Sequence, residues 1–387
     1  MTARTDWIAS VTLLLAAITP VRSQLPEAPS AAASSSRSQY VGDAACRDCH
    51  QAAFQSYLTS AHHLSSRPPD ATSINGKFTP GSNILRTSNP YFYFIMNAGK
   101  EGYFQEAVAR FPPAETISHK ERMDLVIGSG RKGQTYLYWK NSDLFELPVT
   151  YWAETGQWMN SPGYPDGLPN FDKPIIPRCL ECHATYIESL PPPLNHFDKA
   201  SVVLGIACEK CHGPGKTHVE AERSHEAPGK AGNIINPAKL SRDRQIDLCA
   251  LCHAGPGNPR APAFSFVPGA NLAKYVAIPE NPADTPVDVH AHQVQLLERS
   301  RCFRSSNMTC TTCHDVHTQQ RDVAYFAGRC LTCHKIESCG KYPALGTALL
   351  HKCVDCHMPL RDSTVIAFDA GGHRVNPQVR SHRIAIY

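Results

Sequence analysis

The sequence predicts a fold that is mainly irregular, with short α-helices and one β-rich subdomain near its N-terminal end. Three observations predict it. Of 16 Cys in 387 residues, 14 fall into seven copies of the spacing Cys-x-x-Cys-His. Six of those copies crowd into residues 179–357, at about 30 residues each, too little chain for an ordinary hydrophobic core between them. The stretch 51–178 holds no Cys and carries aromatic and β-branched runs of strand character.

The copies are Cys46/Cys49/His50, Cys179/Cys182/His183, Cys208/Cys211/His212, Cys249/Cys252/His253, Cys310/Cys313/His314, Cys330/Cys333/His334 and Cys353/Cys356/His357. Every CxxC in the chain is followed by His. Two thiols one helical turn apart meet the two vinyl groups of a porphyrin, and the adjacent His turns its imidazole onto the iron. Chance at this Cys and His content gives roughly 0.03 such motifs in a chain of this length. Zinc wants four ligands, usually from two CxxC pairs or a CxxC with a spaced His pair, and an odd number of units fits pairing badly. Disulfides give no reason for His at all seven places. The sequence therefore predicts seven covalently bound haem c groups. The fold class becomes short α-helices and irregular chain around a covalent multihaem core, plus a β-rich subdomain inserted between haem 1 and haem 2. Cys302 and Cys339 are left over; an oxidising compartment would join them in a disulfide, with two buried free thiols as the alternative.

Residues 1–23 read as a signal peptide. Arg4 precedes an apolar run from Trp7 to Thr19, and Val21-Arg22-Ser23 offers small or aliphatic residues for cleavage. That run is shorter than the roughly 20 apolar residues that cross a bilayer, and no later segment is long enough either. No Cys precedes Cys46 to carry a lipid. The mature chain is expected to be periplasmic or extracellular, with no membrane span. Residues 24–39 are Ala, Ser and Pro with little to bury, a flexible leader. The remainder divides into a haem 1 segment (40–66), the β-rich subdomain (67–175) and a six-haem cytochrome domain (176–387).

Within the β-rich part, Tyr91–Met96, Thr135–Trp139 and Leu144–Tyr151 read as strands. Gly128-Ser129-Gly130-Arg131-Lys132-Gly133 matches GxGxxG, but a dinucleotide loop opens a helix and here a strand follows at once, so a glycine-rich hairpin or bulge is expected. Tyr136, Tyr138, Trp139, Tyr151, Trp152 and Trp158 are expected to pack under the sheet. The net charge of +4 comes from 38 basic against 34 acidic residues without a basic block, which argues against a nucleic-acid partner. Seven haems would add about 14 propionate carboxylates and turn the assembled molecule acidic.

Nineteen His less seven in motifs leaves twelve for the opposite face of the irons, whereas Met numbers only six. Mostly bis-His ligation is expected, with low potentials. Trans ligands approach opposite faces of one porphyrin, so one helix cannot supply both. On a helix, His314 and His317 would share a face about 4.5 Å apart along the axis, so His317 serves another haem. His62 follows His50 after a helical stretch, and Gly213-Pro214-Gly215 turns His218 away from His212. The candidate second ligands are His62, His119, His218, His292, His317, His351 and His382. His196, His225 and His290 are expected to be ordinary core or surface residues. Spacing does not separate His63 from His62, or His373 from His382.

Several strings resemble a known family. Tyr40-Val41-Gly42 before Cys46, with Ser60-Ala61-His62 after a short helix, resembles the opening of the tetrahaem cytochrome family that accepts electrons from hydroxylamine oxidoreductase. GSGRKGQTYL, LPVTYW with SPGY, GIACEKCHGPGKTHV, SRCFRSSNMTCTTCHDVH, CVDCHMPL and the closing SHRI are similar to multihaem cytochromes sharing that opening. The resemblance implies a periplasmic electron carrier with closely stacked haems, and implies axial roles for His62, His218, His317 and His382. The wider superfamily includes pentahaem nitrite reductase, whose CHMP segment is similar. That enzyme has Lys in place of His at its catalytic haem, and no CxxCK occurs here. Two functions follow. One is single-electron transfer between redox partner proteins, with no catalytic residue; the other is an oxidoreductase acting on a small nitrogen or sulfur oxyanion at one open haem.

Mass spectrometry of the denatured mature protein is expected to show the polypeptide plus about 616 Da for each of seven thioether-linked haems. Fewer than six in a maturation-competent host would defeat the count.

Overall fold

The computed structural model describes residues 37–110, 113, 116–224, 233–280 and 286–387. The expected signal peptide, most of the expected leader and His225 lie outside the described residues.

Alternation builds the first sheets. Phe92, Phe94 and Met96 on one strand are buried while Tyr93, Ile95 and Asn97 between them are half-exposed, the period of a sheet with one covered face. That strand is β3 (Phe92–Gly99), which follows β1 (Ser66–Arg67) and β2 (Ile84–Arg86). The chain continues through β4 (Gly102–Arg110), β5 (Thr116–Arg122), β6 (Leu125–Ile127), β7 (Gly133–Lys140), β8 (Asp143–Glu146), β9 (Val149–Trp152), β10 (Gln157–Asn160) and β11 (Lys173–Pro174). β2-β3-β4-β5 form a four-stranded antiparallel sheet, and a seven-stranded sheet runs β1-β6-β7-β8-β11 with β9 pairing β7 and β10. The expected strand 144–151 divides into β8 and β9 because Pro148 has no N–H for the ladder. The glycine-rich run 128–133 is the turn of the β6–β7 hairpin. Gly128 has φ +98, and a Cβ there would meet the Gly133 carbonyl oxygen at 2.8 Å, so only glycine closes this turn.

β7 is covered on both faces. Tyr136 and Tyr138 point into a core with Phe94, Met96, Met123, Tyr151 and Trp158. Leu137 points the other way, onto Leu125, Leu144, Ile187 and Phe197. Of the six aromatics expected under the sheet, Tyr136, Tyr138, Tyr151 and Trp158 share the first of these cores, whereas Trp139 is half-buried on the opposite cluster and Trp152 packs on Phe368; Trp158 holds its indole N–H on the Lys77 carbonyl at 3.0 Å.

Beyond residue 176 the motif helices alternate with four two-stranded sheets: Ala184–Ser189 with Phe197–Leu204, Asn258–Pro259 with Val276–Ala277, Leu360–Asp362 with Gln378–Arg380, and Phe368–Ala370 with His373–Val375. The fold is thus a mixture of helix and sheet with several small sheets, more strand than the sequence predicts for this half. Ladders of two or three residues are too short to leave an alternating pattern.

Tyr136 is fully buried, so Tyr136→Ala is expected to cost about 3–5 kcal/mol, read by chemical unfolding followed in the far-ultraviolet circular dichroism.

Candidate haem sites

Each motif sits on a tight helical turn that puts its first Cys and its His on one face. His50 N–H donates to the Cys46 carbonyl at 2.9 Å, His314 to Cys310 at 2.9 Å and His334 to Cys330 at 3.0 Å. Cys208–His212 and Cys353–His357 are single short helices, and Cys249–His253 closes the helix Arg242–His253. The turn arises because nothing in Cys-x-x-Cys-His breaks a helix and the flanks do: Gly213 at φ +81 ends the third motif's helix and lets Lys216–Ser224 start in a new direction.

The fourteen motif Cys differ in their exposure. Cys49 and Cys333, the second thiols of the first and sixth motifs, are exposed, and so are Cys179 and Cys356, whereas the other ten are half-buried. Cys49 N–H donates to the Cys46 carbonyl at 3.3 Å and Cys333 N–H to the Cys330 carbonyl at 3.2 Å, so the turns themselves are formed. The first Cys of each is half-buried and the second exposed. By contrast, Cys182 and Cys252 meet each other between the second and fourth motifs, and Cys249 meets Cys310 between the fourth and fifth.

Three imidazole pairs stand at nearly one separation. The ring centroids of His212 and His317 are 6.2 Å apart, those of His314 and His382 6.2 Å, and those of His62 and His253 6.3 Å. An imidazole nitrogen lies about 2.0 Å from a bound first-row metal ion, and about 1.1 Å from its own centroid, so trans imidazoles on one metal have centroids roughly 6.2 Å apart. The residues therefore fit an iron between each pair, with one partner from a CxxCH motif every time. The third pair spans residues 62 and 253, the first 212 and 317, the second 314 and 382.

Burial holds these rings neutral, the form that binds metal. His62 and His382 are pushed down to about 4 by desolvation, with a neighbouring His adding to it in each case. Burial likewise lowers His183, His212, His253 and His314. His212 Nδ1–H donates to the Ile235 carbonyl at 2.8 Å, and His357 Nδ1–H to the Ala385 carbonyl at 2.8 Å. Such bonds fix the tautomer that turns Nε2 outward.

The motifs are keyed to one another through charge. The buried Glu209 carboxylate accepts from Val41 N (2.9 Å), Gly42 N (2.8 Å) and Gly215 N (2.7 Å), and Asp43 accepts from Cys208 N at 3.1 Å. These bonds lock the first motif onto the third. Cys46 and Cys208 are close neighbours, and each shifts the other's thiol, the first lowered and the second raised. Between the second and fourth motifs lies a buried ion pair, Arg178 to Glu181 at 2.6 Å. Arg178 also donates to Leu251 O (2.7 Å) and Pro256 O (2.8 Å), while Glu181 accepts from Phe264 N at 2.7 Å, so neither charge is stranded.

The other expected ligands fall in varied places. His218 lies on Lys216–Ser224, whose Arg223 reaches Asp48 of the first motif at 3.5 Å. His292 donates from Nδ1 to the His290 carbonyl at 2.7 Å, and its Nε2 lies 2.7 Å from where a Cβ on Gly255 would stand. His351 ends the turn Gly346–His351 just before Cys353. His119 is on β5, 3.0 Å from Glu121 and against the Phe171 ring, and the structure does not bring it to a motif His. His290, expected to be ordinary, is near enough to His183 to depress its pKa. Only the fold brings residues 183 and 290 together; the sequence signal is no more than the pair His290 and His292. His196 pairs with Asp143 at 2.7 Å. His317 follows the short turn Cys310–Thr312 and is not on a helix with His314, yet it faces His212 of another motif. The expected Cys302–Cys339 disulfide is not formed: Cys302 neighbours Cys313 and Cys330, Cys339 neighbours Cys353, and both are free thiols.

Residues 165–213, which contain the second and third motifs, match the family model described as Cytochrome c554 and c-prime. Over those residues the chain is similar to a c-type cytochrome family. Among solved structures, the chain is similar in fold to the outer cell wall cytochrome OcwA, at 15% identity and a TM-score of 0.53, over 89% of this chain and 79% of that one. It also matches an undecahaem cytochrome from the S-layer of Carboxydothermus ferrireducens, at 16% identity and a TM-score of 0.37, over 89% of this chain and 57% of that one. None of the curated proteins matches.

Glu209→Ala strips a charged acceptor from three amide donors, each bond worth about 1.5–3 kcal/mol. A large fall in melting temperature is expected, with perturbed paramagnetic-resonance signals confined to the first and third motifs' haems.

Proposed function

We propose that this cytochrome passes single electrons between redox partner proteins through seven closely packed haem groups, in an exported chain working in the periplasm or outside the cell. The observation that carries the reading is the repeated gap of 6.2–6.3 Å between imidazoles from distant parts of the chain. In this reading the fourteen motif Cys hold the porphyrins, and His50, His183, His212, His253, His314, His334 and His357 are the proximal ligands. His317 serves the third motif, His62 the fourth and His382 the fifth. His290 is the candidate opposite His183, and His218, on the helix tied to Asp48, is the candidate for the first motif. His292 and His351 remain candidates for the rest, while His119, held at Glu121, drops out. Bound haem supplies one-electron chemistry, and two imidazoles on an iron close both axial positions to substrate. The protein's part is to hold neutral rings in place and exclude water around them.

Among the described residues no helix is long and apolar enough to cross a membrane, and the similar OcwA is an outer cell wall cytochrome. Both agree with an exported protein. The domain reading is a haem 1 segment, a β-rich insertion at 67–175 and a six-haem region. It is supported by the two larger sheets, whose strands all lie within residues 66–174.

A second reading, reduction or oxidation of a small nitrogen or sulfur oxyanion at an open iron, is favoured by one observation. Among the described residues, the pairs at the 6.2–6.3 Å spacing include none of His50, His183, His334 and His357.

The carrier reading expects every haem of the oxidised protein to be low-spin, with spectra that ignore carbon monoxide, cyanide and nitrite. A stoichiometric high-spin haem that binds them would shift the assignment to the enzyme. His317→Ala is expected to turn one haem high-spin while all seven stay covalently attached; a wholly low-spin variant would remove His317 from the ligand set.

A further inference from the structure

We propose that residues 378–385 form a two-ended strap that sets the iron ligands of the fifth and seventh motifs together, with the Ala385 carbonyl as the positioning acceptor for His357. Only the fifth-motif end rests on the axial role given to His382 above.

The strap is anchored before it reaches either ligand. Gln378–Arg380 pairs antiparallel with Leu360–Asp362, directly after the seventh motif. Arg380 donates to the carbonyls of Val354 and Met358 at 3.2 Å each and pairs with the Asp355 carboxylate, gripping the helix that carries Cys353, Cys356 and His357. Ser381 N–H donates to Pro359 O at 3.0 Å. The chain then crosses to the fifth motif, where His382 faces His314 across 6.2 Å. Ser300, fully buried, clasps this crossing from both sides: its hydroxyl donates to the His382 carbonyl at 3.2 Å and accepts from Ile384 N–H at 2.8 Å. Finally Ala385 returns to the seventh motif and bonds His357 twice, its N–H to the His357 carbonyl at 3.2 Å and its carbonyl to Nδ1–H at 2.8 Å. Ile386 beyond it is exposed.

Only two residues thus separate an iron-facing imidazole from the acceptor that orients another motif's imidazole. Donation of Nδ1–H to a carbonyl makes the other ring nitrogen a stronger donor and favours oxidised iron. The Ala385 bond therefore lowers the potential at the seventh motif, and the Ser300 clasp makes that effect depend on His382 being seated.

The test uses the haem-loaded full-length protein, titrated by potential and followed by visible absorption and paramagnetic resonance. His357→Met marks the seventh motif's signals and His314→Met the fifth's. Deleting residues 385–387 is expected to move the seventh motif's midpoint upward, with seven haems retained and the fifth motif still low-spin. Ser300→Ala, which keeps the whole chain and covers the case of a truncation that fails to mature, is expected to raise the same midpoint and to add high-spin character at the fifth motif. An unmoved seventh-motif midpoint in either mature variant overturns the strap, as does a shift that falls on any other haem. His382→Ala separates the two readings: if every haem stays low-spin, the ligand role of His382 fails, while the seventh-motif arm is still decided by the deletion.

Discussion

In the proposed function one geometric constraint governs the rest: two imidazoles must approach opposite faces of the same iron. The CxxCH turn supplies the near imidazole locally. The far one cannot come from the same turn, because residues three or four apart share a face. The chain must therefore cross over itself, and it does so between residues 62 and 253, 212 and 317, and 314 and 382. Each crossing ties together segments separated by dozens of residues, the role that a continuous hydrophobic core plays elsewhere.

Conventional cores accordingly concentrate where the motifs are absent. The two largest apolar clusters flank β7, and they join the two sheets to the hairpin that leads from the second motif to the third. A smaller one surrounds the helix of the fourth motif. Gln105 bridges the sheets by bonding both the N–H and the carbonyl of Val149, at 2.9 and 2.6 Å. A buried amide placed there satisfies backbone groups that the turn at Pro148 would leave unpaired.

Charge does the finer registration among the motifs. Glu209 and Glu181 are buried carboxylates, and each accepts from a backbone amide of a distant segment, Glu209 from Gly42 and Glu181 from Phe264, while the second oxygen of Glu181 takes the Arg178 guanidinium. Because an unpaired buried carboxylate costs several kcal/mol, only the alignment that completes these bonds is tolerated. The positions of the motifs relative to one another are thus specified more sharply than contact between apolar side chains would allow.

By itself the sequence determined the parts whose chemistry is contiguous. Seven intact CxxCH units name their cofactor, since both thiols and the proximal His lie within five residues. Gly128–Gly133 could be read as a hairpin turn because the strand starts at its last residue, and Gly213-Pro214-Gly215 as a change of direction because those residues end helices. His62, His317 and His382 could be singled out, though without their partners. The tertiary structure alone decided which motif His each one faces, that His290 approaches His183, that His119 belongs to the sheet, and that Cys302 and Cys339 go to different neighbours. It also set Cys49 and Cys333 at the surface while their equivalents Cys182 and Cys252 meet between motifs, a difference that seven identical spacings do not encode. The two- and three-residue ladders after residue 176 were likewise decided there. The physical reason is range: a proximal ligand is placed by one helical turn, whereas an opposing ligand is placed by the path of the intervening chain, on which a His at position 290 or 317 carries no local mark.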